Sequence, residues 1–245
     1  MDYNYIEAKN RIKDILDNNA EIIKTNVPKD DSKFTYNNGI RSWIGAIFVD
    51  IVGSTKLIKG ENELIVSKIL RCFSSEIIAI LNSSSNVREI GIRGDCVYGV
   101  FSTPYKTDIY ELMMMTSYIN TYINMLNKML KNKGYRTIEV GTGMSVGEDL
   151  IIKAGQKGSG INDKIWIGTA VVDACNLANI AGRNGKDRIA YSKISYNNFI
   201  EELVDEVKDK SESEIKSWFK YDVYNNAYFG NIINIGFKEW IEKNL

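Results

Sequence analysis

Residues 44–51, Ile-Gly-Ala-Ile-Phe-Val-Asp-Ile, are apolar almost without a break. A run this short cannot cross a bilayer, which needs about 20 residues. It does not alternate, as a strand wetted on one face would. It predicts a strand at 43–51 covered on both faces, and such a strand needs layers above and below it. At its end stands one carboxylate, Asp50, followed by Ile51-Val52-Gly53-Ser54-Thr55. A second, Asp95, lies in Gly94-Asp95 between two further apolar runs, 87–93 and 96–101. A Gly-Asp pair between such runs signals a β-hairpin.

A carboxylate at the end of a buried strand is costly unless its charge is compensated. Each Asp alone is equally explained as a helix cap or a turn residue. Brought together on neighbouring strands, the two make a site for two hard divalent cations, Mn2+ or Mg2+. A metal pair held by two Asp is one standard arrangement for displacement at phosphorus. The sequence contains no His, which removes His triads and the usual zinc ligand sets. Lys+Arg and Asp+Glu number 31 each, and a zero net charge argues against nucleic acid as a partner. Cys72, Cys96 and Cys175 are widely spaced in apolar contexts. They read as reduced, buried core thiols rather than a disulfide framework. With no stretch long enough to span a membrane and no secretory pattern at the start, a cytoplasmic protein is expected.

Apolar spacing predicts helices at 3–24, 61–82, 107–132 and 169–181, and strands at 138–146, 150–154, 165–167 and 187–191. Met113-Met114-Met115 reads as core filling. The tail, 195–245, alternates a charge-rich helix (199–208) with aromatic strand-like pieces (218–221, 224–229). The order after the N-terminal segment, β-α-β-β-α-β, is α+β with a ferredoxin-like core. An N-terminal helix and connector (1–40), a catalytic domain (41–192) and a packed C-terminal extension (193–245) are expected.

Phe48-Val49-Asp50-Ile51-Val52-Gly53-Ser54-Thr55 and Gly94-Asp95 resemble the two metal-binding motifs of class III nucleotidyl cyclases. A closer resemblance, to the pyrimidine cyclases of Pycsar antiphage systems, lies in 147–150, in 153–163, in Trp166–Val172 and in the tail. The resemblance implies cyclization of a pyrimidine nucleoside triphosphate, UTP favoured over CTP. A catalytically silent nucleotide-binding domain is the alternative. It implies Asp50, Asp95 and the Ile51 carbonyl as metal ligands, and the N–H groups of Val52, Gly53, Ser54 and Thr55 as a phosphate cradle. Arg93 would bind phosphate or read a uracil carbonyl, with a plain salt bridge equally open. The adenine-reading Lys and Asp of adenylate cyclases fall at Gly91 and Ile165. The transition-state Asn and Arg fall at Val172 and Asn176, leaving Asn176 as a hydrogen-bond donor and Arg183, Lys153 or Lys157 to supply charge. The small-residue helix 169–181 would face a second copy in a head-to-tail homodimer with composite sites. A separate cyclic-nucleotide-responsive effector would read the product. The Gly/Lys segment 155–163 would either fold over the triphosphate or serve as a surface connection.

Overall fold

Strand β2, Asn38–Ile51, is the organizing element of the computed structural model, which describes residues 3–245. It is flanked by antiparallel strands on both sides: β4, Cys96–Ser102, and β5, Val140–Gly155. The hairpin strand β3, Val87–Arg93, adds to β4. The run β5-β2-β4-β3 is the ferredoxin-like arrangement expected from the element order.

The predicted strands 138–146 and 150–154 are one strand, β5. The polar residues Glu148 and Asp149 do not interrupt it because Trp43 and Ser42 pair with them across the ladder. For the same reason β2 begins before residue 43. Beyond the core, β1, Glu21–Lys24, joins the start of β2, and β6, Asn162–Ile167, joins the end of β5. These four strands form an arm.

The expected helix at 3–24 is shorter. α1 covers Tyr5–Leu16, with Asn4 Oδ1 accepting from the Ile6 and Glu7 N–H groups at 3.1 Å each. Ile22 and Ile23 belong to β1, since a parallel edge of β2 is available to them. The helix expected at 61–82 is α3, Glu63–Leu81, capped by Asn62; a short helix before it, α2, Ser54–Gly60, was not anticipated.

One sheet face carries α3, α4 (Lys106–Asn132) and α6 (Lys193–Glu206) over Ile47, Val49, Val97, Phe101 and Met144. Met113 and Met115 are buried here, as core filling requires. α5, Thr169–Ile180, packs on the other face. Its small residues Ala170, Ala174 and Ala178 are buried against β5 of the same chain. Gly141 and Gly143 allow this approach: a Cβ at Gly143 would stand 2.1 Å from the Ala174 carbonyl oxygen. The small-residue stripe therefore serves intrachain packing, not the partner contact expected from sequence.

Asp149 sits beneath the start of α5, its Oδ1 accepting from the Ala170 N–H at 3.4 Å. Burial pushes its carboxyl above the usual range, while the N–H groups of Ala170, Thr169 and Val171 pull it back. With the folded value raised, Asp149 contributes stability that is full below the unfolded value and is lost as pH rises through the folded one. Asp149→Asn keeps an acceptor for the helix. It should melt at or above wild type at neutral pH, and the gap should close in acid. A thermal-melt series over pH checks this; a variant less stable at neutral than at acid pH, relative to wild type, refutes it.

The tail enlarges the same sheet. β7, Ile189–Ser192, runs parallel to β5, then β9, Ala227–Gly230, and β8, Lys220–Asp222, extend it. Tyr191 meets Phe199 and Phe219 edge-on at 5.0 and 5.7 Å, seating α6 against the new strands. Two short helices, α7 (Glu212–Ser217) and α8 (Ile235–Asn244), were not anticipated. Polar caps, Ser211 and Asn234, start them where periodicity is too brief to read. No helix among the described residues is long and apolar enough to cross a membrane.

Candidate active site

The β2–β4 register sets Asp50 opposite Cys96, so Asp95, the preceding residue, stands beside it at the hairpin tip. Gly94 supplies the positive φ of +62° at the first central turn position, as a II′ turn demands. Asp50 is partly buried. Burial raises its carboxyl most; a hydrogen bond from Arg183 opposes the rise, and the negative charge of Asp95 adds to it. Arg183 Nη2 donates to Asp50 Oδ2 at 2.5 Å, while Nη1 donates to the Ala178 and Ala181 carbonyls at 2.8 and 3.2 Å. The end of α5 thereby aims a guanidinium at the strand carboxylate.

Two neighbouring carboxylates, which offer only hard oxygens, suit divalent Mg2+ or Mn2+. Among the described residues no group of three or more His, Cys, Asp or Glu is placed to hold a metal.

The Val52 N–H is already engaged, donating to the Glu139 carbonyl at 2.8 Å. It is not available to the predicted phosphate cradle. Gly53, at φ +69°, precedes α2, and the first N–H groups of that helix, including Ser54 and Thr55, have no intrahelical acceptor.

Arg93 is exposed and pairs with Cys96, on the sheet face of Tyr98. Asp95 lies in the turn beyond the β3–β4 ladder, so strand alternation does not put it on the face of Arg93. Lys153 lies twelve residues along β5 from Gly141, the other cross-strand partner of Asp50. At strand rise that is about 40 Å. Lys157 is farther, in the exposed turn closing β5 and β6. Neither can reach the Asp pair of its own chain, and the 155–163 segment is a hairpin end rather than a cover for that site. Asn176 is exposed on α5 and lines a groove of about 790 Å³ with Lys193 and Tyr224; it bonds to neither Asp. The thiols also differ from expectation: Cys72 is exposed, and Cys96 and Cys175 are half-buried.

Sequence reasoning missed one cluster. Tyr98 Oη donates to Glu89 Oε1 at 2.8 Å, and Trp166 Nε1 donates to Glu89 Oε2 at 2.8 Å. The Tyr98 ring stacks on Phe48 at 5.0 Å. Burial first, then Glu89, pushes the Tyr98 hydroxyl up to about 12. The signal was present: Phe48 precedes Asp50 by two and Tyr98 follows Cys96 by two, which puts all four on one face. Gly91 lies directly opposite Tyr98, and a Cβ there would stand 2.5 Å from the phenol. Ile165, half-exposed, is on the face of β6 opposite Trp166.

No family model matches the chain. Similar solved structures include a class III adenylyl cyclase-like ATP-binding protein from Pseudomonas aeruginosa, with TM-score 0.63 and 17% identity, covering 88% of this chain and 50% of that one. The adenylyl cyclase CyaB of P. aeruginosa gives a TM-score of 0.57 at 21% identity, covering 69% of this chain and 83% of that one. At such identities the likeness concerns the fold alone, and the fold is that of a class III nucleotidyl cyclase domain. A uridylate cyclase of Treponema porcinum is 41% identical over 245 residues, all of this chain and 83% of that protein. A uridylate cyclase of Gulbenkiania mobilis is 29% identical over 250 residues, 99% of this chain and 97% of that protein. The chain belongs to the uridylate cyclase family of pyrimidine nucleotidyl cyclases.

Proposed function

We propose that this chain converts UTP to 3′,5′-cyclic UMP and pyrophosphate. The full-length similarity to two uridylate cyclases carries this reading, and the placing of Asp50 beside Asp95 supports it. Asp50, Asp95 and the Ile51 carbonyl would hold two divalent ions, which supply acidity to the 3′-hydroxyl and neutralize triphosphate charge. The ribose 3′-oxygen gives up its proton to solvent and bonds to the α-phosphorus, and the bond from that phosphorus to the pyrophosphate oxygen breaks. Gly53, Ser54 and Thr55 donate backbone N–H groups to the outer phosphates. Arg183, the cation beside Asp50, answers charge developing on the α-phosphoryl oxygens.

Asn176, Lys153 and Lys157 stand apart from the Asp pair of their own chain, so any contact they make with nucleotide is to a second copy's site. A head-to-tail homodimer with composite sites, which the class III resemblance implies, would bring them to a second copy's Asp pair. The apolar surfaces available to it are Ile161, Ile165 and Ile167 on the arm and Val172 on α5, all 47% exposed or more. In that case an Asp50→Ala chain and an Asn176→Ala chain, each inactive alone, regain activity on mixing. No recovery after demonstrated subunit exchange would mean that each chain holds a whole site.

The resemblance to Pycsar cyclases supports a cytoplasmic role in antiphage defence, with the product read by a separate effector. The direct test of the activity is incubation with ATP, GTP, CTP or UTP and Mn2+, followed by product separation. Cyclic UMP is expected from UTP; cyclic AMP as the main product overturns the reading.

A further inference from the structure

The α5 face of the sheet carries a row of side chains leading away from Asp50. Phe48 is its neighbour on β2, Tyr98 lies opposite Phe48 on β4, and Gly91 lies opposite Tyr98 on β3. The phenol fills the space into which a side chain at residue 91 would project. Its proton has one available direction. Glu89 Oε1 can only accept from it, so the hydroxyl donates there and keeps a lone pair that no donor among the described residues engages. Trp166 holds the other carboxylate oxygen, so the Glu89 group cannot turn away. The raised affinity of the phenol for its proton keeps that donor in place at neutral pH. Next along the same face, Arg93 offers donors only.

We propose that Tyr98 is the base-reading residue, its proton fixed on Glu89 so that its oxygen accepts the N3–H of uracil. The assignment rests on the uridylate cyclase reading above. Uracil presents N3–H as a donor beside the O4 carbonyl, an acceptor. These meet the Tyr98 oxygen and Arg93 in the right sense. Cytosine presents a bare N3 and an amino group there, so acceptor would meet acceptor and donor would meet donor. Discrimination of this kind comes from polar groups left unpaired by the wrong ligand. Tyr98 would touch the base; Glu89 and Trp166 are positioning residues that set its polarity.

The test is the ratio of kcat/KM for UTP over CTP, with equilibrium binding of both triphosphates measured alongside, in wild type, Glu89→Gln and Tyr98→Phe. A Gln amide at 89 can donate to the phenol and turn its proton outward, toward cytosine N3. The ratio should fall about tenfold in each variant, the effect of one reversed or lost buried hydrogen bond. In Glu89→Gln the CTP value should also rise in absolute terms, whereas simple structural damage lowers both substrates together. A fall of less than about threefold in either variant overturns the assignment while leaving the cyclase reading intact. A wild type that neither binds nor cyclizes UTP overturns that reading, and the assignment with it.

Discussion

Asp50→Asn should lower turnover by more than about a hundredfold, equivalent to about 2.7 kcal/mol of transition-state stabilization. The fold should survive it. Asn retains an oxygen to accept from Arg183 Nη2, and Arg183 keeps its two carbonyl partners at Ala178 and Ala181. The backbone ladder of Asp50 with Cys96 and Gly141 does not involve the side chain. What is lost is one negative charge and one hard donor at the place where Asp95 contributes the other. Urea unfolding should therefore differ from wild type by no more than about 1 kcal/mol, since burial already penalizes the Asp50 charge that Asn removes. Retention of more than about a hundredth of the wild-type rate would show that Asp50 does not hold the cations.

Gly143→Ala should destabilize the protein by about 3 kcal/mol or more, at the upper end of overpacking effects. The added methyl meets the Ala174 carbonyl oxygen at 2.1 Å and the Ala178 nitrogen at 2.4 Å. Both are backbone atoms, so no rotamer change relieves the contact and α5 must lift from the sheet. Lifting it would also withdraw Arg183 from Asp50. Gly147 is the control on the same strand and face: a Cβ there finds nothing nearer than Thr169 Oγ1 at 3.4 Å. Gly147→Ala should cost less than about 1 kcal/mol. Equal urea midpoints for the two variants would show that α5 does not depend on the Gly143 contact.

The apolar run at 44–51, the hairpin around Gly94-Asp95 and the stripe of α4 could be read from sequence because each is a local pattern. A strand covered on both faces has to be apolar throughout, and a two-residue turn needs its Gly. Those patterns, with the Asp at the end of each, were enough for the βαββαβ order and for two carboxylates meeting on adjacent strands. Strand ends were less legible. β5 runs through Glu148 and Asp149 only because β2 supplies partners along that whole length, and Ile22-Ile23 became a strand only because β2 left an edge open.

Side-chain duties that depend on packing could not be read at all. The alanines of α5 look the same in sequence whether they meet a partner or the glycines of their own β5. Lys153 sits in a segment that resembles the pyrimidine cyclases, yet strand rise carries it about 40 Å from Asp50. Glu89, Tyr98 and Trp166 are separated by up to 77 positions. The sequence by itself determined the Asp pair and the strands that bear it, because periodicity and turn chemistry act over a few residues. Only the tertiary structure decided that Arg183 rests on Asp50, that α5 closes on its own sheet, and that one carboxylate orients the Tyr98 hydroxyl. Those contacts depend on strand register and helix approach, which are set by the whole core at once.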